Sequence, residues 1–563
     1  MNNKTVILNF STGYVGSIEE LLSSDGFRFF VSNYLKYLAV RDIRIYRWLN
    51  RGSRLEDMID SLIRITKQLM ILDIDEIYDP MLNEVNRVKT LYVVEDAYNY
   101  WRSKQRFSIM NSYSNITPHG INFMEADNRF EEMVLTIYRT CEEKLQGAKN
   151  RVYRQLNAGT NGALLLQTYK IKNPPSGYGF VKNIPFINTL MIRTPLLLHT
   201  DVTRREGDFE EVDFNPLKDS NIVLKDWLCY PCKVGDLLCF VYFHRDFMAN
   251  AVSLANLFEL ASEEECVNRK ADMICFYGVN DDRNRNLFYY DSDNDIWVGT
   301  ASYTYKIEYF SYLKKLILTL HNVRKMQMGS LPIHGCMMNV RFKEGYTRSV
   351  IFVGDTDTGK SELVEMLKKI NENELPEEQI DRLDVIFDDM GSLTGKEGKI
   401  YAQGTEIGAF VRLDSHNKGT VYRDMERSVF FNTEDHNRQL VAPISSYDTI
   451  VHHHNVDMIL YCNNYDHKAG VRRYEDYSEA KKVFAQGKRL IINEDGKKEM
   501  NSSFFANPYG PMQQMELCSE IMDQVFGKLY DDGVYVGEIY TNPRDKECLE
   551  KTAREFMNAL KEL

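Results

Sequence analysis

A glycine-rich loop near residue 354 has the residue types and spacing of a nucleotide phosphate site. The apolar run 350–353 leads into Gly354, and four residues later the chain continues as Gly359-Lys360-Ser361. Glycine lets successive N–H groups point at one anion, and a helix that starts there adds partial positive charge. In such loops the lysine reaches the β- and γ-phosphates and the serine hydroxyl binds Mg²⁺. This predicts an ATP site at Gly354, Asp355, Thr356, Asp357, Thr358, Gly359, Lys360, Ser361 and Glu362.

Two acidic residues and a histidine lie on either side of this loop in the sequence. Asp388 and Asp389 follow the apolar run 383–387, and His334 precedes the loop. Carboxylates at the end of a strand beside a phosphate loop are well placed to hold a cation that bridges phosphates. A neutral imidazole is either a ligand of a second divalent ion or a general base. An acidic turn and a structural histidine are the simpler alternatives.

The elements that must position these residues follow from the hydrophobic pattern. Apolar runs at 350–353, 383–387, 456–461 and 533–540 predict strands that alternate with helical segments, which is typical of an α/β nucleotide domain. Residues 303–328 have the period of one long amphipathic helix. The first 150 residues are rich in helical patterns, and 180–300 contain short strand patterns. We therefore predict an α/β protein with two parts. Residues 1–300 form an α+β region for which substrate binding is one candidate role, and residues 301–563 form the catalytic domain.

Composition limits the partners and the compartment. The formal net charge of −12 argues against general nucleic-acid binding, which requires a basic surface. No apolar run approaches the roughly 20 residues that cross a bilayer, and the first ten residues lack the apolar core of a signal peptide. Ten cysteines scattered through the chain fit a reducing compartment. We expect a cytoplasmic protein that acts on a small molecule, with neither nucleic acid nor membrane as partner.

The order of the motifs resembles that of the ATP-dependent phosphoenolpyruvate carboxykinases. His334 in the segment 333–340, the phosphate loop and Asp388-Asp389 occur in the family's order, and 398–404 and Asn437-Arg438 follow. The runs 456–461 and 533–540 resemble the family's next core strand and its last strand. The resemblance covers roughly residues 300–563.

This resemblance implies a mononucleotide-binding domain that uses ATP to convert oxaloacetate into phosphoenolpyruvate, ADP and CO₂. It implies that Lys360, Arg438 and His334 act in catalysis, with Arg438 between the transferred phosphoryl group and the substrate. The implied metal ligands are Ser361 and Asp388 for Mg²⁺, and His334, Asp389 and Lys306 for a second ion, usually Mn²⁺. Arg544 is the implied contact to the base or ribose.

Some positions depart from this family. Lys306 lies where the family has a Lys-Lys pair, but Ile307 follows it, and Ala409 lies near another expected lysine. These departures weigh more against decarboxylation than against phosphoryl transfer.

The loop itself more closely resembles that of the HPr kinase/phosphorylase family. That loop begins Gly-Asp and ends Gly-Lys-Ser-Glu, as residues 354–362 do, and it is also preceded by His-Gly. Glu406-Ile-Gly408 resembles a further segment of that family. A kinase of a small molecule or of a protein serine is therefore the alternative enzyme. A non-catalytic nucleotide sensor or scaffold is the third hypothesis.

Overall fold

The computed structural model describes residues 4–112, 122–202, 209–218, 220, 222–281, 284–355, 358–373, 380–413, 425–431, 438–492, 497–542 and 545–563. The chain forms two compact units. Unit 1 comprises Met1–Gln167 and Ile187–Arg193, and unit 2 comprises Thr168–Phe186 and Thr194–Leu563. The boundary predicted at residue 300 concerns the roles of the two parts of the chain, so this division into compact units does not test it. Within the described residues, no helix combines the length and the apolar character that a bilayer crossing requires.

Unit 1 is built from helices packed on a small sheet. Its strands are ordered β1-β2-β3-β4, with β1, β2 and β3 parallel. Helix α7 packs on this sheet through Phe123 and Phe130, which contact Met110 and Leu165 in one apolar cluster. The elements are β1 Thr5–Asn9, α1 Phe10–Gly13, α2 Ile18–Ser23, α3 Asp25–Arg41, α4 Ile43–Asn50, α5 Leu55–Ile71, α6 Arg87–Arg102, β2 Gln105–Asn111, α7 Phe123–Gln146, β3 Gly162–Gln167 and β4 Phe186–Ile192.

The first part of unit 2 is dominated by buried strands. Strands β8, β10 and β12 are parallel, and β7 and β11 flank them in antiparallel orientation. The elements are β5 Leu196–Leu198, β6 Glu210–Glu211, β7 Trp227–Val234, β8 Leu237–His244, α8 Met248–Ser253, β9 Glu259–Leu260, α9 Glu263–Asn268, β10 Met273–Val279, β11 Asn286–Asp291 and β12 Ile296–Ser302. Residues in the parallel strands β8, β10 and β12 are mostly apolar and almost all buried, as in sheets with both faces covered.

The second part of unit 2 contains the predicted strands and helices, but they do not alternate throughout, because six strands between residues 380 and 443 follow one another with no α-helix among the described residues. Its elements are α10 Ser311–Gln327, β13 Leu331–Phe342, β14 Thr347–Val353, α11 Lys360–Asn373, β15 Ile380–Phe387, β16 Met390–Lys396, β17 Lys399–Gly404, β18 Gly408–Arg412, β19 Val429–Phe431, β20 Gln439–Pro443, α12 Tyr447–Val451, β21 His454–Asn455, β22 Met458–Asn463, β23 Val471–Arg473, α13 Tyr477–Gln486, β24 Lys488–Ile492, β25 Lys498–Ser502, α14 Met515–Asp531, β26 Tyr535–Tyr540 and α15 Lys546–Glu562. The whole chain is a mixed α/β protein with several mixed sheets.

The central sheet of this part is ordered β21-β17-β16-β13-β14-β22-β26-β23, and β15 also pairs with β13. Strands β14, β22 and β26 are parallel, and β13 is antiparallel to both β14 and β15. Strand β15 therefore runs in the same direction as β14. The carboxyl ends of β14, β15, β22 and β26 lie at one edge, where α/β sheets bind their ligands.

The helix predicted over 303–328 differs from the observed one in two ways. Tyr305–Glu308 form a short 3-10 helix, and the α-helix begins only at Ser311. The α-helix also has no solvent-exposed polar face, because every residue except Arg324 and Gln327 is buried. Its polar side chains Lys314 and Lys315 are buried with it, since they pair with carboxylates from neighbouring strands.

Candidate functional site

The predicted strand, loop and helix around residue 354 are present. Strand β14 ends at Val353, and the first helical N–H of α11 to bond back is that of Leu363, which donates to the Gly359 carbonyl at 3.0 Å. Gly359 has φ +86°, a conformation that glycine adopts without strain. The Lys360 ammonium donates to the carbonyls of Gly354 at 2.6 Å and Asp355 at 2.9 Å. The loop thus begins a helix and encloses its own lysine.

Backbone hydrogen bonds join the three predicted motifs at the edge of the sheet. The Gly354 N–H donates to the His334 carbonyl at 3.0 Å, and the Gly335 N–H donates to the Asp389 carbonyl at 3.0 Å. A Cβ atom on Gly335 would lie 2.2 Å from the Phe352 carbonyl oxygen, so only glycine allows this approach of β13 to β14. His334-Gly335 therefore fixes Asp389 on one side and the phosphate loop on the other.

The His334 imidazole is buried, and both of its nitrogens face oxygen acceptors. Its Nδ1 lies 3.0 Å from the Ala506 carbonyl oxygen and 3.4 Å from Asp355 Oδ1. Its Nε2 lies 3.0 Å from Asp389 Oδ1. Burial lowers the pKa of His334, and Asp389 and Asp355 only partly oppose this. The neutral ring carries one proton, so it can donate to the acceptors on one side only.

Asp389 is the centre of the charged cluster. Its Oδ2 accepts from Lys314 Nζ at 2.6 Å and from Lys315 Nζ at 2.9 Å. Burial acts to raise the pKa of Asp389, but the two lysines and His334 outweigh it and hold that pKa well below its usual range. Asp389 therefore stays ionised, and its Oδ1 remains directed at His334.

Lys314 also contacts a second buried carboxylate, Glu406. Both side chains are at most 1% exposed, and Lys314 Nζ lies 3.0 Å from Glu406 Oε1. Among the residues that the structure describes, no group donates a hydrogen bond of ordinary geometry to either Glu406 oxygen. Burial acts to lower the pKa of Lys314, but Asp389 and Glu406 raise it above its usual value. Lys314 is thus held as a cation between two carboxylates.

Lys315 is the second lysine at this cluster, and its surroundings differ. Besides its bond to Asp389, its ammonium lies 4.5 Å from the centre of the Tyr509 ring. The Tyr509 ring also packs against the His334 ring, with 6.2 Å between their centres. Tyr509 therefore lies against Lys315 and His334, two of the side chains that contact the Asp389 carboxylate.

The structure brings together Gly354, Asp355, Thr358, Lys360, His334 and Asp389 from the predicted set. Asp388 is partly exposed beside Asp389, and Ser361 and Glu362 lie in the first turn of α11. Arg438 is exposed immediately before β20, where its carbonyl accepts from the Leu413 N–H at 2.8 Å. Thr356, Asp357 and Arg544 lie outside the described residues.

Lys306 is exposed in the short 3-10 helix, and the lysines that contact Asp389 are Lys314 and Lys315. Lys314 and Lys315 are not among the site residues predicted from the sequence, and Glu406 enters there only through a family resemblance. A signal for the pair existed, because two adjacent lysines interrupt the apolar run Leu313–Leu320. Charged residues inside such a run are buried only when they are paired. No comparable local signal marks Glu406 as the partner of Lys314.

No protein-family description matches the chain, and no curated protein matches it. Among the described residues, no three His, Cys, Asp or Glu side chains form a group that could hold a metal ion. The His334-Asp389 pair has a lysine, Lys315, as its third neighbour.

Glu406→Gln should change how stability depends on pH. Burial raises the pKa of Glu406 from 4.5 to about 7, against the opposing effect of Lys314. The folded wild type therefore binds more protons than the unfolded chain between these values, so its stability falls as pH rises through this window. Relative to wild type, the free energy of unfolding of Glu406→Gln should therefore rise by about 1.4 kcal/mol per pH unit within this window and level off near pH 7. Urea unfolding at a series of pH values measures this.

The control for Glu406→Gln is Glu520→Gln, which removes an exposed carboxylate on α14. The stability difference between this control and wild type should be nearly independent of pH over the same range. A Glu406→Gln profile parallel to that of wild type would contradict a raised pKa at this residue.

Proposed function

We propose that the protein is an ATP- and divalent-metal-dependent phosphotransferase with a site like that of phosphoenolpyruvate carboxykinase. The observation that carries this proposal is a pair of backbone hydrogen bonds. His334-Gly335 is hydrogen-bonded to Gly354 of the phosphate loop and to Asp389 of the charged cluster. A nucleotide held by the loop would therefore present its terminal phosphate beside Asp389, Lys315 and His334.

The loop geometry supports ATP as the phosphoryl donor. The N-terminal amides of α11 and the Lys360 ammonium are the donors that bind the phosphates in such loops. Lys360 now bonds to the Gly354 and Asp355 carbonyls, so it would exchange these acceptors for phosphate oxygens. Its role would be to neutralise charge that develops as the γ-phosphoryl group is transferred.

The donor set of His334 and Asp389 fits a divalent cation. If the neutral ring carries its proton on Nδ1, beside the Ala506 carbonyl, its Nε2 electron pair faces Asp389 Oδ1 at 3.0 Å with no proton between them. A cation between two such electron pairs would remove their repulsion. Imidazole nitrogen and carboxylate oxygen together suit Mn²⁺, and Asp388 with Ser361 would serve Mg²⁺ at the phosphates. Bound cations would supply charge neutralisation at the phosphates.

Adjacent lysines at 314 and 315 support the carboxykinase resemblance, in which a Lys-Lys pair is expected. This pair lies in α10, whereas the sequence motif points to Lys306-Ile307. Lys314 is fixed as a cation by Asp389 and Glu406, so Lys315 is the better candidate for a metal ligand. Lys314 would keep Asp389 ionised for the same cation.

Lys360→Ala should remove ATP turnover and leave the fold intact. The ammonium makes its described bonds to loop oxygens, so its loss removes phosphate binding without opening the apolar core. We expect turnover to fall by about a hundredfold or more. An ADP-release assay and circular dichroism measure the two effects. Lys482→Ala, an exposed lysine on α13, is the control. A fully active Lys360→Ala protein would refute the assignment of the phosphate loop.

The acceptor is tested by supplying oxaloacetate with ATP, Mg²⁺ and Mn²⁺. The carboxykinase hypothesis predicts phosphoenolpyruvate and ADP in equal amounts, detected by ³¹P NMR. ADP formation that requires another hydroxylated acceptor, with no phosphoenolpyruvate, would favour the kinase alternative. ATP binding without turnover of any acceptor would favour a nucleotide sensor.

Lys315→Met should weaken Mn²⁺ binding, whereas Lys306→Met should not. Lys315 contacts Asp389 directly, and Lys306 lies exposed in the 3-10 helix. We expect the Mn²⁺ affinity of Lys315→Met to fall by about tenfold or more. Titration followed by electron paramagnetic resonance measures free Mn²⁺ directly. Equal affinities in both variants would exclude Lys315 as a ligand.

A further inference from the structure

Asp355, the second residue of the phosphate loop, is an acidic group where the loop must receive an anion. It is 5% exposed, and three polar groups surround its carboxylate. Arg489 Nη2 lies 3.2 Å from Oδ2, and the Ser503 hydroxyl donates to the same oxygen at 3.3 Å. His334 Nδ1 lies 3.4 Å from Oδ1. These contacts direct the negative charge towards other protein groups.

The partners of Asp355 belong to one continuous segment and to His334. Arg489 is in β24, Ser503 follows β25, and the two strands form a hairpin. The hairpin is also anchored to the end of β22, because Asn464 and Leu490 exchange side-chain and backbone hydrogen bonds at 3.0 and 2.9 Å. Segment 487–507 is therefore attached to the edge of the sheet at both Asn464 and Asp355.

Directly after Ser503 the backbone is strained. Phe505 has φ 53° and Ala506 has φ 50°, and two consecutive non-glycine residues rarely adopt this conformation. Such residues cost about 1–3 kcal/mol each and persist only where their surroundings hold them. The result of the strained turn is that the Ala506 carbonyl oxygen lies 3.0 Å from His334 Nδ1.

We propose that Asp355 is a positioning residue that holds the turn 503–506 against His334 and so directs the His334 Nε2 electron pair at the Asp389 side of the site. Asp355 fixes Ser503 and Arg489 on either side of the hairpin. The Ala506 carbonyl and Asp355 are both acceptors, so together they keep the proton on Nδ1. This role explains why a carboxylate is compatible with the loop, since its charge is paired with Arg489. The proposal rests on the proposed function for its enzymatic readouts only.

Asp355→Asn tests the proposal because it keeps the shape of the side chain and removes its charge. We expect Mn²⁺ affinity and turnover to fall by about tenfold, as when a partner that orients a metal ligand is lost. We expect the Kd for MgATP to change by less than about threefold, because the Asp355 carboxylate is already paired with Arg489 and Ser503. Tighter MgATP binding with unchanged Mn²⁺ affinity would overturn the proposal, since it would mean that Asp355 repels the nucleotide.

Arg489→Gln and the double variant with Asp355→Asn provide the matched control. If the two residues act through one ion pair, the double variant should lose no more Mn²⁺ affinity than Asp355→Asn alone. Arg489→Lys should restore part of the loss. Independent effects that multiply would overturn the coupling. If Asp355→Asn fails to fold, Ser503→Ala and Arg489→Gln still test the same connection.

One measurement does not depend on the proposed function. In ¹⁵N-histidine-labelled wild type, His334 should be protonated at Nδ1, with the signal assigned by its absence in His334→Gln. In Asp355→Asn this signal should shift or show both tautomers. An unchanged His334 signal would overturn the positioning role. If the His334 signal changes as expected in Asp355→Asn, but the wild type binds neither MgATP nor Mn²⁺, the positioning role stands and the proposed function is refuted.

Discussion

The site depends on one partly buried negative charge, the carboxylate of Asp389, whose side chain is 22% exposed. Two lysines and a histidine converge on it, and without it Lys314 and Lys315 would be buried cations with much weaker compensation. A buried charge is tolerated only when it is paired, and breaking one member of a pair leaves the other uncompensated. The Asp389 carboxylate therefore explains how α10 can hold two lysines in an apolar interior. It also explains why β15 ends just before this residue, at Phe387.

Backbone geometry places this charge beside the phosphate loop. Strand β13 lies between β14 and β15, and both neighbours run opposite to it, so both end at the same edge. The hydrogen bonds of His334-Gly335 then set the distance between the two strand ends. Side chains could not achieve this alone, because a one-residue shift of register would turn His334 to the other face of the sheet.

Charge compensation continues outward from this edge. Glu406 holds Lys314 from one direction, and Arg489 balances Asp355 from the other. Asp355, one of the acidic residues of this loop, is therefore part of a connected set of ion pairs and need not repel a bound polyphosphate. The strained turn at Phe505 and Ala506 fits the same view, because strain is retained where the surroundings require a particular carbonyl position.

The sequence by itself determined the elements and the loop. The strands that contain 350–353 and 383–387, and the helix after Gly359, were predictable because hydrophobic period and glycine spacing are local properties. The tertiary structure alone decided the partners. Lys306 seemed the site lysine from its position in a motif, yet Lys314 and Lys315 reach Asp389, which is more than seventy residues away in the chain. Such pairings arise from strand register and burial, and no local pattern encodes them. The same holds for Glu406 with Lys314 and for Arg489 with Asp355.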